Sequence, residues 1–501
     1  MHISPSKVPA FVSHVTQTLQ DRGFEAYLVG GCVRDLITGR TPKDWDITTN
    51  ATPDQIQEVF ADRKTVYENT FGTVTVIDMA PEATEREVSR EIKAEEVQIT
   101  TYRSEGGYSD NRRPDSVSYE TELSKDLERR DFTMNAIAWN PSTNAYIDPY
   151  EGIKDIKDKS IRCVLYADVR FNEDALRMLR AVRFSTTLGF GISHETLDAI
   201  GKNADLIKSI SAERIRDEFM KIIDSDAPAM GIDLLQKTGL LKHFIPELQE
   251  GIGCEQKGAH IYDVYQHLLH ALQHAADKSF SREIRLTALF HDIGKPATRR
   301  YDRSKDKYTF FGHEVVGARM TRKILDRLRV PRETEELVVT LVRNHMFFSD
   351  TEQITLSAVR RIIQKVKPEH IWELMQVREC DRVGMKKVEA PYRLRKYHAM
   401  IDEALRDPIS VSQLKIDGGY LMKVLHMKPG PRMGWILHAL LEEVLEDPTI
   451  NSVETLSERV KDLDELEDKD LKILGEKGRD KKDDANEGEV KKLHVKHGVK
   501  K

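Results

Sequence analysis

Cysteine is scarce in this chain, with 4 in 501 residues: Cys32, Cys163, Cys254 and Cys380. They stand far apart without paired spacing, which argues against a disulfide framework and against a zinc ribbon. A surplus of positive charge is missing too. Lys plus Arg number 77 against 83 Asp plus Glu, a formal net charge of −6, so nucleic acid would have to be met by a local basic surface rather than by the field of the whole molecule. No apolar run approaches the roughly 20 residues of a membrane span. The start, MHISPSKVPAFVSHV, has neither the basic and apolar regions of a secretory leader nor the bias of a transit peptide. The expectation is a cytoplasmic protein with no membrane partner. What is present suffices for cores: 39% of residues are hydrophobic, and the length suits roughly three domains.

The stretch around which the chain is organised is Leu28 to Thr52, LVGGCVRDLITGRTPKDWDITTNAT. A short apolar strand from Ala26 to Val29 runs into Gly30 and Gly31, a helix pattern follows from Cys32 to Ile37, and a second strand returns with Asp44 and Asp46. Glycines at a strand-to-helix turn let a ligand approach the backbone with no Cβ in the way, and the helix start offers free N–H groups to a phosphate. Arg34 is grouped with this phosphate seat. Asp44 and Asp46 lie two apart on a strand, so both side chains leave one face and can converge on divalent cations. Hard oxygen ligands suit Mg²⁺, and the two seats side by side point to metal-assisted transfer of a phosphoryl or nucleotidyl group. Alone, Gly-Gly is a turn and Asp-x-Asp a strand edge; their order and closeness carry the reading. A third carboxylate stays open between Glu96 and Asp78, with Gln98 on the Glu96 strand face.

This stretch resembles the opening motif of the polymerase-β-like nucleotidyltransferases, and GGCVRDLITGRTPKDWDITTNATP is similar to that of the class II tRNA nucleotidyltransferase (CCA-adding) and bacterial poly(A) polymerase family. The resemblance implies roles further along. RRDFTMNAIA matches a second motif that holds the incoming ribose, in which Asp131 would accept from a ribose hydroxyl, Arg130 would reach the phosphates and Asn135 would brace either. Asp148 to Asp155 matches a third motif, read as a structural turn. Arg103, Glu105 and Arg113 would sit in or beside a mobile loop. NEDALRMLRAVRF, from Asn172 to Phe184, resembles the EDxxR motif. Helical spacing would put Asp174 and Arg177 on one face as a template for the base, with Arg180 and Arg183 adding positive charge. An Asp accepts from the exocyclic amino group of C and A while an Arg donates to the adjacent ring acceptor. Glu213 and Arg214, on a following helix, are assigned support.

A second constellation begins near Cys254. His267 on an amphipathic helix, His291-Asp292 after an apolar run, then His313, His345 and Asp381 at helix-length intervals form a metal-ligand pattern. LFHDIGKP resembles the HD phosphohydrolase superfamily. By that resemblance His267, His291, Asp292 and Asp381 are ligands of a divalent transition metal or Mg²⁺, His313 and His345 hold a second metal or contact phosphate, and the activity is hydrolysis of 2′,3′-cyclic phosphates or 3′-phosphates.

The expected fold class is α+β: an N-terminal polymerase-β-like mixed sheet with helices, then an all-α neck, an HD domain and C-terminal helices. The boundaries are 1–160 for the head, 161–250 for the neck, 251–400 for the HD domain, 401–470 for a helical region and 471–501 for a disordered charged tail, whose closing VKKLHVKHGVKK is basic. The expected function is addition of CMP, CMP and AMP from CTP and ATP to the tRNA 3′ end, with HD hydrolysis beside it. The rivals are a poly(A) polymerase or A-only enzyme, and an RNA-binding regulator whose only chemistry is the HD hydrolase.

Overall fold

The structure, a computed structural model, describes residues 3–68, 72–78, 96–106, 116–256, 261–304, 306–349, 354–384, 391–406 and 410–480. The charged connection from Pro81 to Lys93, the loop residue Arg113, the Glu105 side chain and the closing basic tail lie outside that description. The chain divides into two compact units, 1–244 and 245–501.

In the first unit, helix α1 (Ala10–Asp21) buries Phe11, Val12, Val15 and Leu19 and gives way at Gly23, whose φ of 86° suits glycine. Strand β1 (Ala26–Val29), helix α2 (Gly31–Ile37) and strand β2 (Trp45–Thr49) follow as the apolar pattern requires. Helix α3 (Pro53–Val59) starts on a capping box: Thr52 accepts from the Gln55 N–H, and the Gln55 side chain reaches back to Thr52. Strands β3 (Lys64–Glu68), β4 (Thr73–Ile77), β5 (Glu96–Thr101), β6 (Arg103–Gly106) and β7 (Ser116–Tyr119) come next. Then come α4 (Leu123–Glu128), β8 (Ala138–Asn140), β9 (Ala145–Ile147) and α5 (Gly152–Lys157).

Seven strands form one mixed sheet in the order β3-β4-β5-β2-β1-β8-β9, in which only β2 and β5 run parallel. Its register lines up Trp139, Leu28, Ile47, Ile99 and Val74 across five strands. All five are fully buried, and each contributes roughly 1.5–3 kcal/mol of burial. Because side chains alternate, Asp46 and its neighbour Gln98 take the opposite face. The hydrophobic row thus aims the carboxylate away from the core.

Helices α6 (Ala167–Glu173), α7 (Leu176–Leu188), α8 (His194–Asn203), α9 (Ala212–Ile223) and α10 (Pro228–Lys237) complete this unit. The single helix expected over Asn172 to Phe184 is broken. Asp174 is extended (φ −138°, ψ 104°) between α6 and α7, and its carboxylate accepts from the Leu176 N–H at 3.0 Å. A short acidic side chain that bonds the backbone two residues on competes with helix continuation, and here it prevails. Asp174 and Arg177 are therefore not two positions on one helix face.

In the second unit come α11 (Val264–Asp277), α12 (Arg282–Phe290), α13 (Lys295–Thr298), a hairpin pairing Arg300–Asp302 with Lys307–Thr309, α14 (His313–Arg327), α15 (Arg332–Asn344), α16 (Leu356–Val366) and α17 (Ile371–Asp381). Asp263 and Ser281 cap α11 and α12 by accepting backbone N–H groups. The remaining helices are α18 (Pro391–Ala404), α19 (Gly418–Lys423), α20 (Pro431–Glu446), α21 (Val453–Asp464) and α22 (Asp468–Asp480). They share a core with α16 and α17 that includes Ile362, Tyr397, Leu440, Val444 and Leu471. The disorder expected from 471 onward is thereby corrected for residues up to Asp480. Leu471 is fully buried and Leu474 partly so, and Gly475 lies so close to α20 that a Cβ would sit 2.6 Å from the Trp435 backbone. Averaging composition to the chain end hid these few apolar contacts.

Candidate active sites

The glycine turn, the metal strand and the second motif meet at one point. Gly30 has φ 79°, and a Cβ there would lie 3.2 Å from Arg130 Nη1 and 3.7 Å from Asp46 Oδ2. Burial raises the Asp46 pKa, Arg130 opposes the rise and Asp44 adds to it. Asp44 itself is exposed, just ahead of β2. A divalent cation would relieve the repulsion between these two carboxylates.

The sheet register also separates the two open candidates for a third acid. Gln98 pairs with Asp46, and Glu96 follows two residues away on the same exposed face of β5. Asp78 instead accepts from Arg63 Nη1 at 2.8 Å.

Arg130 is fixed by a residue that sequence reasoning missed. Asp126, fully buried on α4, accepts from Arg130 Nη2 at 2.9 Å, from Arg129 at 2.6 and 3.0 Å, and from Thr48 Oγ1 at 3.1 Å. Burial alone would raise its pKa; Arg129 and Arg130 outweigh that and bring it to about 2. The available signal was its spacing of three and four from two arginines.

Asp131 is engaged within the protein. One oxygen accepts from the Phe132 N–H (2.8 Å) and Asn135 Nδ2 (2.9 Å), the other from Arg180 (2.6 and 2.9 Å). The buried carboxylate is compensated by the half-buried Arg180 guanidinium. Arg34 extends the chain by donating to Asn135 Oδ1 at 2.8 Å. Asn135 is thus set between Arg34 and Asp131. Arg34, Arg180 and Arg183 surround the Phe184 ring at 5.0, 5.4 and 3.9 Å. Burial lowers the Arg183 pKa, opposed by the buried Glu218 at 2.6 Å, a second residue that went unpredicted.

Asp174 and Arg177 reach different partners. Asp174 takes Arg214 Nη2 at 2.8 Å, which gives Arg214 the supporting contact expected of it. Arg177 donates to Glu173 at 2.7 Å and to the Arg129 carbonyl at 2.9 Å.

The second unit brings all six predicted HD residues together. His267 from α11, His291 and Asp292 after α12, and Asp381 at the end of α17 place one ligand atom each within 4.8 Å of one another, and Asp292 also joins His313 and His345 in a second such group. The His267 and His291 Nε2 atoms lie 3.1 Å apart, and those of His313 and His345 3.3 Å apart. Asp292 Oδ1 is 3.2 Å from His313 and 3.6 Å from His345. The Nδ1 atoms of His291, His313 and His345 each donate to a backbone carbonyl three residues back, at 2.9, 2.7 and 2.7 Å. That fixes Nε2 as the inward-facing atom. Lone pairs turned toward one another beside two carboxylates require positive charge among them, so the donor set fits divalent cations. Without metal, burial would lower the His291 pKa, but Asp292 and Asp381 carry it up to about 10. Lys295, not singled out from the sequence, is buried, ion-paired to Asp292 and donates to Gln256 at 2.7 Å.

A mixed sheet presenting an acidic strand beside a glycine turn, together with a helical His/Asp cluster, defines the class: a nucleotidyltransferase head carried in one chain with an HD domain. Family models agree, matching the poly A polymerase head domain over 26–162, "Probable RNA and SrmB- binding site of polymerase A" over 189–252 and the HD domain over 258–385. The chain is 32% identical to the CC-adding tRNA nucleotidyltransferase of Thermus thermophilus over 84% of its own length and 90% of that protein. It belongs to the tRNA nucleotidyltransferase and poly(A) polymerase family. It is also 44% identical to the CCA-adding enzyme of Geobacillus thermodenitrificans over 47% of this chain, and the match spans about half of that relative, 54%. Among solved structures, that of the Bacillus stearothermophilus CCA-adding enzyme in complex with CTP is similar at a TM-score of 0.65 and 26% identity, covering 90% of this chain and 97% of that one. Nucleotidyltransferase and HD domains generally use divalent metals, in keeping with both donor sets.

Proposed function

We propose that the protein adds CMP, CMP and AMP from CTP and ATP to the 3′ end of tRNA, and that its HD cluster hydrolyses phosphoester ends. The observation that carries the first part is the convergence of Gly30, Asp46 and Arg130 around one space. In this reading Asp44 and Asp46 hold Mg²⁺, with Glu96 as the third acid on the same sheet face. Such ions stabilise charge on the attacking and leaving oxygens. Arg130, held by Asp126, meets the triphosphate as the tRNA 3′-hydroxyl displaces pyrophosphate. Asp174 and Arg177 read the base once Arg214 and Glu173 release them, and a buried polar group left unpaired by the wrong base supplies the discrimination. The Asp131–Arg180 pair holds the frame around the nucleotide. At the HD cluster, His267, His291, Asp292 and Asp381 hold one divalent cation, and His313 and His345 share Asp292 with a second. The parts are 1–160, 161–250, 251–400 and, with the last helix included, 401–480, and a tRNA substrate suits a cytoplasmic location.

A second reading stops at CC, because the relative matched over most of both chains is named CC-adding. The decisive experiment offers tRNA ending before CCA, after C and after CC, with single nucleotides and mixtures, and sequences the products. C and A incorporation from the first substrate is expected. Products ending at CC would establish the second reading, and A without C would refute both.

A further inference from the structure

The hairpin that pairs Arg300–Asp302 with Lys307–Thr309 is attached to the HD cluster at both ends. It leaves from α13, where Lys295 is ion-paired to Asp292. It returns through Phe310, whose carbonyl accepts from His313 Nδ1 at 2.7 Å and whose ring lies 5.7 Å from Lys295 Nζ. In sequence, 299–311 (RRYDRSKDKYTFF) has Arg299, Arg300, Arg303, Lys305 and Lys307 against Asp302 and Asp306, a surplus of +3 in a chain of net −6. Four aromatics are interleaved. Phe311 is 65% and Tyr301 47% exposed, and Arg300 and Arg303 are exposed beside them. Arg299 stacks on the Tyr308 ring at 3.7 Å, which stiffens the ribbon.

Single exposed apolar residues are ordinary. Aromatics alternating with guanidinium groups are the means by which proteins hold single-stranded nucleic acid, bases stacking on rings and phosphates meeting cations. We propose that this hairpin grips the last nucleotides of a single-stranded RNA 3′ end and presents the terminal phosphate to the Asp292 cluster. The inference rests on the reading of that cluster as a phosphoester hydrolase and specifies its substrate as an RNA end rather than a free nucleotide.

The test uses the full chain with Tyr301→Ala, Phe311→Ala and the pair Arg300→Glu with Arg303→Glu. Two readouts are taken: hydrolysis of a short RNA ending in 2′,3′-cyclic phosphate against 2′,3′-cyclic AMP, and anisotropy of a labelled short RNA ending in 3′-phosphate. Each variant is expected to lower the RNA-to-mononucleotide ratio of kcat/KM about tenfold and to weaken RNA binding by a similar factor. If the unaltered chain hydrolyses neither substrate, the hydrolase reading fails while anisotropy still decides the hairpin. Binding unaltered in all three variants overturns the proposal. So does an equal loss on both substrates, which would mark the hairpin as a support for the cluster. A surface meant for an acidic protein partner would show as RNA binding sensitive to the charge reversal and indifferent to loss of the rings, and that result also overturns it.

Discussion

At the scale of single residues, the paired acids of the head and the arginines around them have separable consequences. Asp44→Ala or Asp46→Ala is expected to reduce nucleotide addition by several kcal/mol of transition-state stabilisation, at least a thousandfold, because each removes a carboxylate proposed to hold Mg²⁺. Addition measured with CTP and tRNA checks this. Asp126 acts earlier in the chain of causes. Asp126→Ala would leave the buried ends of Arg129 and Arg130 uncompensated, at a cost of about 3–5 kcal/mol. The conservative Asp126→Asn should chiefly raise the KM for nucleotide, since Arg130 loses its anchor. The pH dependence has a definite sign. The Asp126 pKa is lowered from 3.8 to about 2 on folding. Its contribution, about 2 kcal/mol, is therefore present above pH 4 and lost as pH falls through 2. Urea unfolding of the first unit between pH 5 and 2 should lose less stability in Asp126→Asn than in the unaltered chain. The gathering of the His/Asp cluster was legible from adjacent His291-Asp292 after an apolar run, with further His and Asp residues at helix-length intervals. Asp126 and Glu218 were not, because acids on helices are common and their burial depends on packing that no local pattern reports.

Elements carry the second kind of consequence. The turn at His291 to Gly294 lies against the start of α14 so closely that a Cβ on Gly294 would be 2.3 Å from the His313 carbonyl and 2.6 Å from the Gly317 nitrogen. Backbone cannot yield as a side-chain tip can, so Gly294→Ala should push α14 away and carry His313 with it. We expect about 1–3 kcal/mol of destabilisation and loss of the second cation proposed at His313 and His345, read as metal per protein. Retention of full metal content would refute the shared-ligand geometry. Strand, glycine turn, helix and returning strand were legible because each has its own period or cap: the buried row through Leu28 and Ile47, and the capping box at Thr52. The break at Asp174 was not. Leu176, Met178, Leu179 and Val182 continue a helical pattern behind it, and the extended Asp174 backbone with its carboxylate's bond to the Leu176 N–H marks where the helix restarts. Asp174 and Arg177, proposed to read the base, consequently come from a junction and a helix, whose relation can change more readily than two positions on one rod. Asp174→Ala and Arg177→Ala should each erase the preference for C and A over U and G, and unchanged preference in competition assays would remove them from base reading.

On the scale of the whole molecule, the two candidate sites stand in units that each have their own core. The first unit buries the row from Trp139 to Val74 under its acidic strand; the second buries Leu286, Leu289 and Phe290 behind His291. No described residue of either donor set belongs to the other unit. Among the described residues no helix is long and apolar enough to cross a membrane. Loss of one site should therefore leave the other's chemistry standing. Asp292→Asn removes the one carboxylate common to both HD ligand groups and should abolish phosphoester hydrolysis while tRNA extension continues. Asp46→Ala should do the reverse. Removing divalent ions with a chelator should stop both activities, and separate titrations with Mg²⁺ and Mn²⁺ should restore each with its own dependence, since one site offers oxygens and the other chiefly imidazole nitrogens. Should Asp292→Asn also halt nucleotide addition with its fold and tRNA affinity intact, the two sites would share a step, and the reading of them as independent would have to be given up.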